Sequence, residues 1–267
     1  MKKLLGMAVG ILSAVGLYAE GVISDLTLET NIQFEAERVF RGRNEFHKAV
    51  VPRVKMGCPV CDECSAYIGV DTSVALEGLS ALHRVSSHVG VLWDATEMFT
   101  LDGGYRHSFF PAMPKAIDNT KVPCNFNEIY GGVIVDVLLE PSLYCFYDFD
   151  CKEVAIEGRV SYNVDLAQYV VSGLEIDLGA KVGFDQSSKP YGLPYNIEKS
   201  GKKSYSYYGV NADLVYELNS NARAKVGFSY EGNSAEKKSW VNGAIDDGIM
   251  PGHRNSLWIN ASIDCSF

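Results

Sequence analysis

Two serine–histidine neighbours, Ser87-His88 and His107-Ser108, and three cysteines at spacings of three, Cys58, Cys61 and Cys64, are the groups whose types invite chemistry. A serine and a histidine within hydrogen-bond reach make a nucleophile and its base. Both pairs lie in alternating segments, where adjacent residues point to opposite faces, so neither forms a dyad within itself. His47, His83 and His253 are scattered without metal-site spacing, and Gly103-Gly104 and Gly131-Gly132 fall inside strand-like segments rather than in a phosphate-cradling loop. The sequence therefore predicts no catalytic residue, no metal and no cofactor.

The cysteines read differently. Three zinc thiolates would need a fourth ligand, and the next histidine, His83, lies well along the chain. Secretion into an oxidising compartment favours disulfides. The chain has 7 cysteines, an odd number, and three crowded thiols cannot all pair with one another. Cys58, Cys61 and Cys64 are thus expected either to cross-link to neighbouring cysteine-rich envelope proteins or to form an intrachain staple. Cys145 and Cys151 lie symmetrically about Asp148, and a hairpin tip there would bring them face to face.

The elements that must position these groups are strands. In 174–185, Leu174, Ile176, Leu178, Ala180, Val182 and Phe184 share one face while Glu175, Asp177, Lys181 and Asp185 share the other. The segment 222–231 repeats the pattern with Arg223, Lys225 and Glu231 on the polar face, as does the first segment with Glu29, Glu35 and Glu37. The end of the chain, 256–267, alternates again and stops on Phe267, an aromatic suited to a membrane interface and to recognition by barrel assembly machinery.

At the other end, Lys2 and Lys3 precede an apolar run from Leu4 to Leu17, and Ala19 offers a cleavage position. The predicted organisation is a signal peptide over 1–19 and one β-barrel over 20–267. No later stretch approaches the roughly 18 apolar residues of a membrane helix. The formal charge of -9, made more negative by loss of the two signal lysines, argues against nucleic acid as a partner.

Candidate strands fall near 24–38, 48–57, 65–77, 82–94, 97–109, 127–139, 142–150, 152–164, 172–185, 204–217, 220–231 and 255–267. That is about twelve, and strands in hydrocarbon must close because an open edge leaves backbone groups unpaired. The long gaps 110–126, 186–203 and 232–254 all join an odd strand to the next even one, and the tight links do the reverse. Bacterial barrels sort their loops in this way, with short turns in the periplasm. The predicted fold is an all-β, closed antiparallel transmembrane barrel in the outer membrane of a Gram-negative bacterium, in contact with its lipid.

The stretch Val39-Phe40-Arg41-Gly42, with Pro52 and then Ala66-Tyr67-Ile68-Gly69-Val70, resembles the start of the small outer-membrane porins of the TorF or Gcw-chp type. The likeness spans about residues 34–76 and implies a porin of unknown substrate, with no site residues transferred. The insertion Cys58-Pro59-Val60-Cys61-Asp62-Glu63-Cys64 departs from that pattern and resembles the cysteine-rich envelope proteins of chlamydia-like bacteria.

Inside such a barrel, Glu29, Glu35, Glu175, Asp177, Asp213 and Asp264 outnumber Lys181, Arg223 and Lys225 on the strands of clearest parity, which favours cations or neutral solutes. Arg53, Lys55 and Arg106 form a basic cluster on the remaining wall, set against Asp102 and Asp71, so the charges are expected either to set a transverse field across a constriction or to neutralise one another and plug a narrow barrel. About twelve strands leave a narrow lumen. The function read from this is a narrow porin for small polar solutes. The alternatives are a non-transporting structural or adhesive barrel disulfide-linked to the envelope, and a soluble periplasmic β-sandwich.

Overall fold

The structure, a computed structural model, describes residues 26–41, 43–76, 83–111, 116–117, 120–121, 125–150, 152–187, 203–234 and 255–267. The expected signal peptide and its cleavage position lie outside those residues. Twelve strands form the barrel. They are β1 (Thr27–Phe40), β2 (Arg43–Cys61), β3 (Cys64–Ala75), β4 (Arg84–Thr96), β5 (Phe99–Phe109), β8 (Asn125–Val135), β9 (Ser142–Asp148), β10 (Glu153–Asp165), β11 (Leu174–Ser187), β12 (Lys203–Asn219), β13 (Ala222–Asn233) and β14 (Asn255–Ser266). The connection after β5 carries a short ribbon, β6 (Ala116–Ile117) and β7 (Thr120–Lys121), which the alternation did not predict.

Each barrel strand pairs antiparallel with its neighbours, and β1 pairs with β14 to close the ring. Two reciprocal bonds finish the seam: Leu28 N–H to Phe267 O and Phe267 N–H to Leu28 O, both 2.9 Å. Closure removes the edge that would leave backbone groups unpaired in lipid. The soluble sandwich is thereby set aside.

The two faces have opposite chemistry. Outside stand Val91, Val182, Val226, Phe228 and Ile259, each about half exposed or more. Inside, Glu35, Glu128, Glu153, Glu157 and Asp185 are buried. Apolar atoms facing outward and carboxylates facing inward invert the layout of a soluble protein, and together with closure they make this a transmembrane barrel of the outer-membrane kind. Tyr208, Tyr216 and Phe267 stand exposed near strand ends of the outer face, as an interfacial girdle requires.

Long and short links segregate. The connections after β5, β11 and β13 lie at one end, and the turns at Asp62-Glu63, Glu97-Met98 and Ser220-Asn221 at the other, with Phe267. By the loop-length rule the first end is external.

The wall is thinned on its inner side by glycine. Tyr130 of β8 lies across Gly104 of β5, and Tyr144 of β9 lies across Gly132 of β8. A Cβ at Gly104 would sit 2.5 Å from both the Val89 carbonyl oxygen and the Tyr130 hydroxyl oxygen. Tyr207 covers Gly183 and Tyr67 covers Gly90 in the same manner. The glycines thus seat rings flat against the wall and keep space in the lumen.

Candidate functional site: the charged lumen

The interior holds chambers of about 650, 550 and 550 Å³, each lined in part by Arg53. Of the charged residues expected in the lumen, Glu29, Arg53, Lys55, Asp102, Arg106, Asp177, Lys181, Asp213, Arg223 and Lys225 line interior cavities, Glu35 is buried beside Arg38, and Glu175 accepts a hydrogen bond from Asn163.

At the periplasmic mouth, Lys55 Nζ lies 3.7 Å from Glu29 and 5.1 Å above the ring of Tyr67. Arg223 lines the same chamber and faces Glu217 and Asp264 across its neighbouring strands. In mid-barrel, Lys225 bridges Asp177 at 3.2 Å and Asp264 at 3.5 Å, while Asn163 donates to both Asp177 and Glu175. Asp213 accepts a hydrogen bond from Asn211, and Lys181 pairs with Glu231 at 2.5 Å.

The basic wall is richer than the sequence reading allowed. Arg38, Arg41, Arg84 and Arg159 join Arg53 and Arg106 around the outer chamber. Glu35 is taken up by Arg38 at 2.8 Å. Arg41 reaches Glu128 at 2.6 Å and Glu153 at 3.4 Å, and its guanidinium lies 4.3 Å from the ring centre of Phe146. Arg106 approaches the same Glu128 at 3.6 Å, and Arg159 pairs with Glu157, which also accepts from Tyr207 at 2.7 Å. The expectation of a mainly acidic lumen is corrected accordingly: the outer chamber is arginine-rich, with Asp71, Glu128, Asp148 and Glu157 interleaved among the arginines, and further acids lie on β11 to β14.

Asp102 is not the partner of the basic cluster. It accepts from Tyr67 at 2.6 Å and Tyr144 at 3.0 Å, and Tyr67 also bonds Tyr130 at 2.6 Å. Phenols satisfy this carboxylate because three glycine-seated rings converge on it, leaving Lys55 and Arg106 to Glu29 and Glu128. Asp71 stands 3.9 Å from His88.

Sequence reasoning missed Arg41, Glu128, Glu153, Glu157 and Arg159. A signal existed for the last two, since 157 and 159 share the parity of the inward face on β10. Arg41 gave none: a register shift between Arg38 and Val39 breaks the alternation there, and Arg41 sits in the β1–β2 turn with φ +50°.

The cysteine reading is partly corrected. Among the described residues Cys58, Cys61, Cys64, Cys145 and Cys265 are free thiols. Cys145 lies within β9, opposite Ile156, on the outer face. Asp148 pairs with Glu153, so the hairpin turns beyond Asp148 and the symmetry that suggested a Cys145–Cys151 bridge does not hold. Cys151 lies outside the described residues.

Cys61 and Cys64 are direct partners across the β2–β3 hairpin end, on the side of the short turns. Their hydrogen bond, with lesser help from desolvation and from Glu63 and Asp94, pushes the Cys64 thiol up to about 11. Thiolate is the reacting form, so Cys64 is expected to alkylate slowly at pH 8 and about tenfold faster per pH unit up to that value. Removing the first cause by Cys61→Ala should speed Cys64 alkylation at pH 8. Maleimide labelling followed by mass spectrometry in a Cys58→Ala background reads this directly, and an unaltered Cys64 rate would rule out the thiol–thiol contact.

No family model and no curated protein sequence matches the chain. Among solved structures it is similar to the NanC porin, at 13% identity over 90% of this chain and 98% of that one, with a TM-score of 0.47. It is likewise similar to the KdgM porin, at 10% identity over 90% and 99% of the two chains with a TM-score of 0.46. A third similar structure is LpxR from Salmonella typhimurium, at 12% identity over 90% and 99%, with a TM-score of 0.49. At such scores these likenesses carry no argument about activity or substrate.

Proposed function

We propose that this barrel is a narrow porin through which small polar solutes diffuse across the outer membrane. The observation that carries the reading is the lumen: cavities of about 650, 550 and 550 Å³, each lined in part by Arg53, with arginines and carboxylates both facing them. A solid plug of apolar side chains would serve a structural barrel equally well. Charges of both signs facing a cavity instead order water and dipolar solutes. Phe40 and Arg41, from the stretch that resembles the TorF or Gcw-chp porins, line the outer chamber, which supports the reading.

The specific test is conductance of the refolded mature chain, residues 20–267, in planar bilayers, with ion selectivity read across a salt gradient. Discrete steps with weak selectivity support the porin. A folded, heat-modifiable barrel that conducts nothing would falsify it. The second reading, a structural or adhesive barrel, is favoured by one feature, the cluster of Cys58, Cys61 and Cys64 at the periplasmic hairpin. In that reading these thiols bond cysteine-rich envelope proteins, and non-reducing electrophoresis of native envelopes should show high-mass species that collapse to monomer with reductant. Recognition of Phe267 by the assembly machinery belongs to either reading.

A further inference from the structure

Among the described residues the outer face is mainly apolar, and near the external rim of β4, β5 and β8 a polar row crosses it. The register makes Ser87 of β4 the direct partner of His107 of β5, and His107 the direct partner of Asn127 of β8. All three share the outward parity, opposite in sense to the lumen-lining Ser86, His88, Arg106, Ser108 and Glu128. The neighbouring row toward the membrane centre is Val89, Tyr105 and Ile129, and the row toward the rim carries Val85 and Phe109. A serine, a histidine and an amide thus stand side by side just above an apolar row and beside the rim residues Phe109 and Asn125.

Their orientation is fixed by hydrogen bonds. Asn127 gives both its backbone N–H (2.9 Å) and its side-chain Nδ2 (2.8 Å) to Asp150 Oδ2. That leaves Asn127 Oδ1 to accept, and it lies 2.8 Å from His107 Nδ1 and also receives the Tyr105 hydroxyl. An amide oxygen only accepts, so the Nδ1 of His107 carries the proton and Nε2 is left basic. The His107 ring also stacks on Phe109, with centroids 6.3 Å apart. Ser87 is exposed on the same face. Cross-strand partners have Cβ atoms about 4.5–5.5 Å apart, which sets Ser87 beside the His107 ring.

We propose that this row is an acyl-ester hydrolase site acting on membrane lipid. Ser87 is the nucleophile and His107 its base; Asn127 and Asp150 are positioning residues that hold the tautomer. Ser87 Oγ attacks the ester carbonyl carbon and its proton passes to His107 Nε2. The ester C–O bond breaks, and the leaving alcohol takes that proton. Water then attacks the acyl-serine, gives a proton to Nε2, and the fatty acid leaves as Ser87 recovers its hydrogen. The substrate class follows from position: the row lies two residues inside the external ends of β5 and β8, at the depth where headgroups join acyl chains. Val89, Val91 and Ile129, each about half exposed, extend below it as a track for the chain.

The test uses the full mature barrel refolded in diacyl phospholipid vesicles, with folding verified by heat-modifiable migration. An alkyl fluorophosphonate should form an adduct at Ser87, located by mass spectrometry, and the vesicles should release lysolipid and fatty acid. Ser87→Ala should abolish the adduct and lower release at least about a thousandfold. Ser206→Ala, an outward serine on β12, should retain both. His107→Ala should suppress labelling, and Asn127→Leu should slow it while Asn127→Asp, which keeps an acceptor for Nδ1 but loses the donor to Asp150, restores it in part. A folded barrel with no adduct, or one labelled as well without Ser87 or without His107, overturns the proposal. None of these readouts depends on conductance, so the porin reading stands or falls separately.

Discussion

Arg41→Ala is expected to lower the stability of the refolded barrel by about 3 kcal/mol, because it leaves Glu128 with Arg106 alone and takes from the buried Glu153 its Arg41 contact. Arg41 is only 6% exposed and stands between Glu128 and Glu153 at 2.6 and 3.4 Å. Its guanidinium also covers the rings of Phe146 and Phe40, so the loss includes packing. The water-filled chamber beside it works against the full penalty, which keeps the figure at the lower end for such pairs. Urea unfolding in vesicles reads the change as a shifted midpoint. Single-channel conductance should rise in the same variant, since the side chain crosses the outer chamber. Arg41→Lys keeps the charge but not the two-pronged donor geometry, and should fall between. In an Arg41→Ala/Glu128→Gln double variant the losses should not add, because Arg41 and Glu128 belong to one ion-pair cluster. If Arg41→Ala left both the midpoint and the conductance where they were, the cluster would be decoration rather than a constriction.

How much of this was legible beforehand depended on whether one strand or several had to be read. The strands Leu174–Ser187 and Ala222–Asn233 announce themselves, because charge on every second residue admits no helix. Closure and sidedness followed from counting segments and comparing gaps, and the long links do fall at one end. What a single strand cannot reveal is register. Ser87 and His107 each sat in a pair rejected for the right reason, yet pairing β4 with β5 sets one opposite the other. The alternation fixes which face a residue takes; which residue stands beside it depends on the turn geometry and on the stagger of the closed ring. The same gap hid the phenol cluster on Asp102, which draws Tyr67 from β3 and Tyr144 from β9. Turns were the other blind spot: Arg41 has a positive φ that alternation does not encode, and the turn beyond Asp148 displaced the expected symmetry of Cys145 and Cys151.

A single arginine placed at two depths tests the transmembrane placement on which the pore, the lipid-facing serine row and the sidedness of the thiols all depend. Val226 lies midway along β13, outward and 51% exposed, flanked by Leu214 and Ala261 on the adjoining strands. Leu257 is outward too, 69% exposed, but stands at the external start of β14. In water neither change would matter much, since surface substitutions away from special features stay within about 0.5 kcal/mol. In a bilayer the cost depends on depth: about 2–4 kcal/mol for arginine at the midplane and about 0–1 near the interface. Val226→Arg is therefore expected to destabilise the vesicle-refolded barrel by about 3 kcal/mol and Leu257→Arg by under about 1 kcal/mol, both read from urea unfolding. The difference between them is the informative quantity, because each variant carries the same added charge and both side chains point away from the lumen. Equal costs would mean that the outer face meets one uniform solvent, and the barrel would then have no hydrocarbon belt.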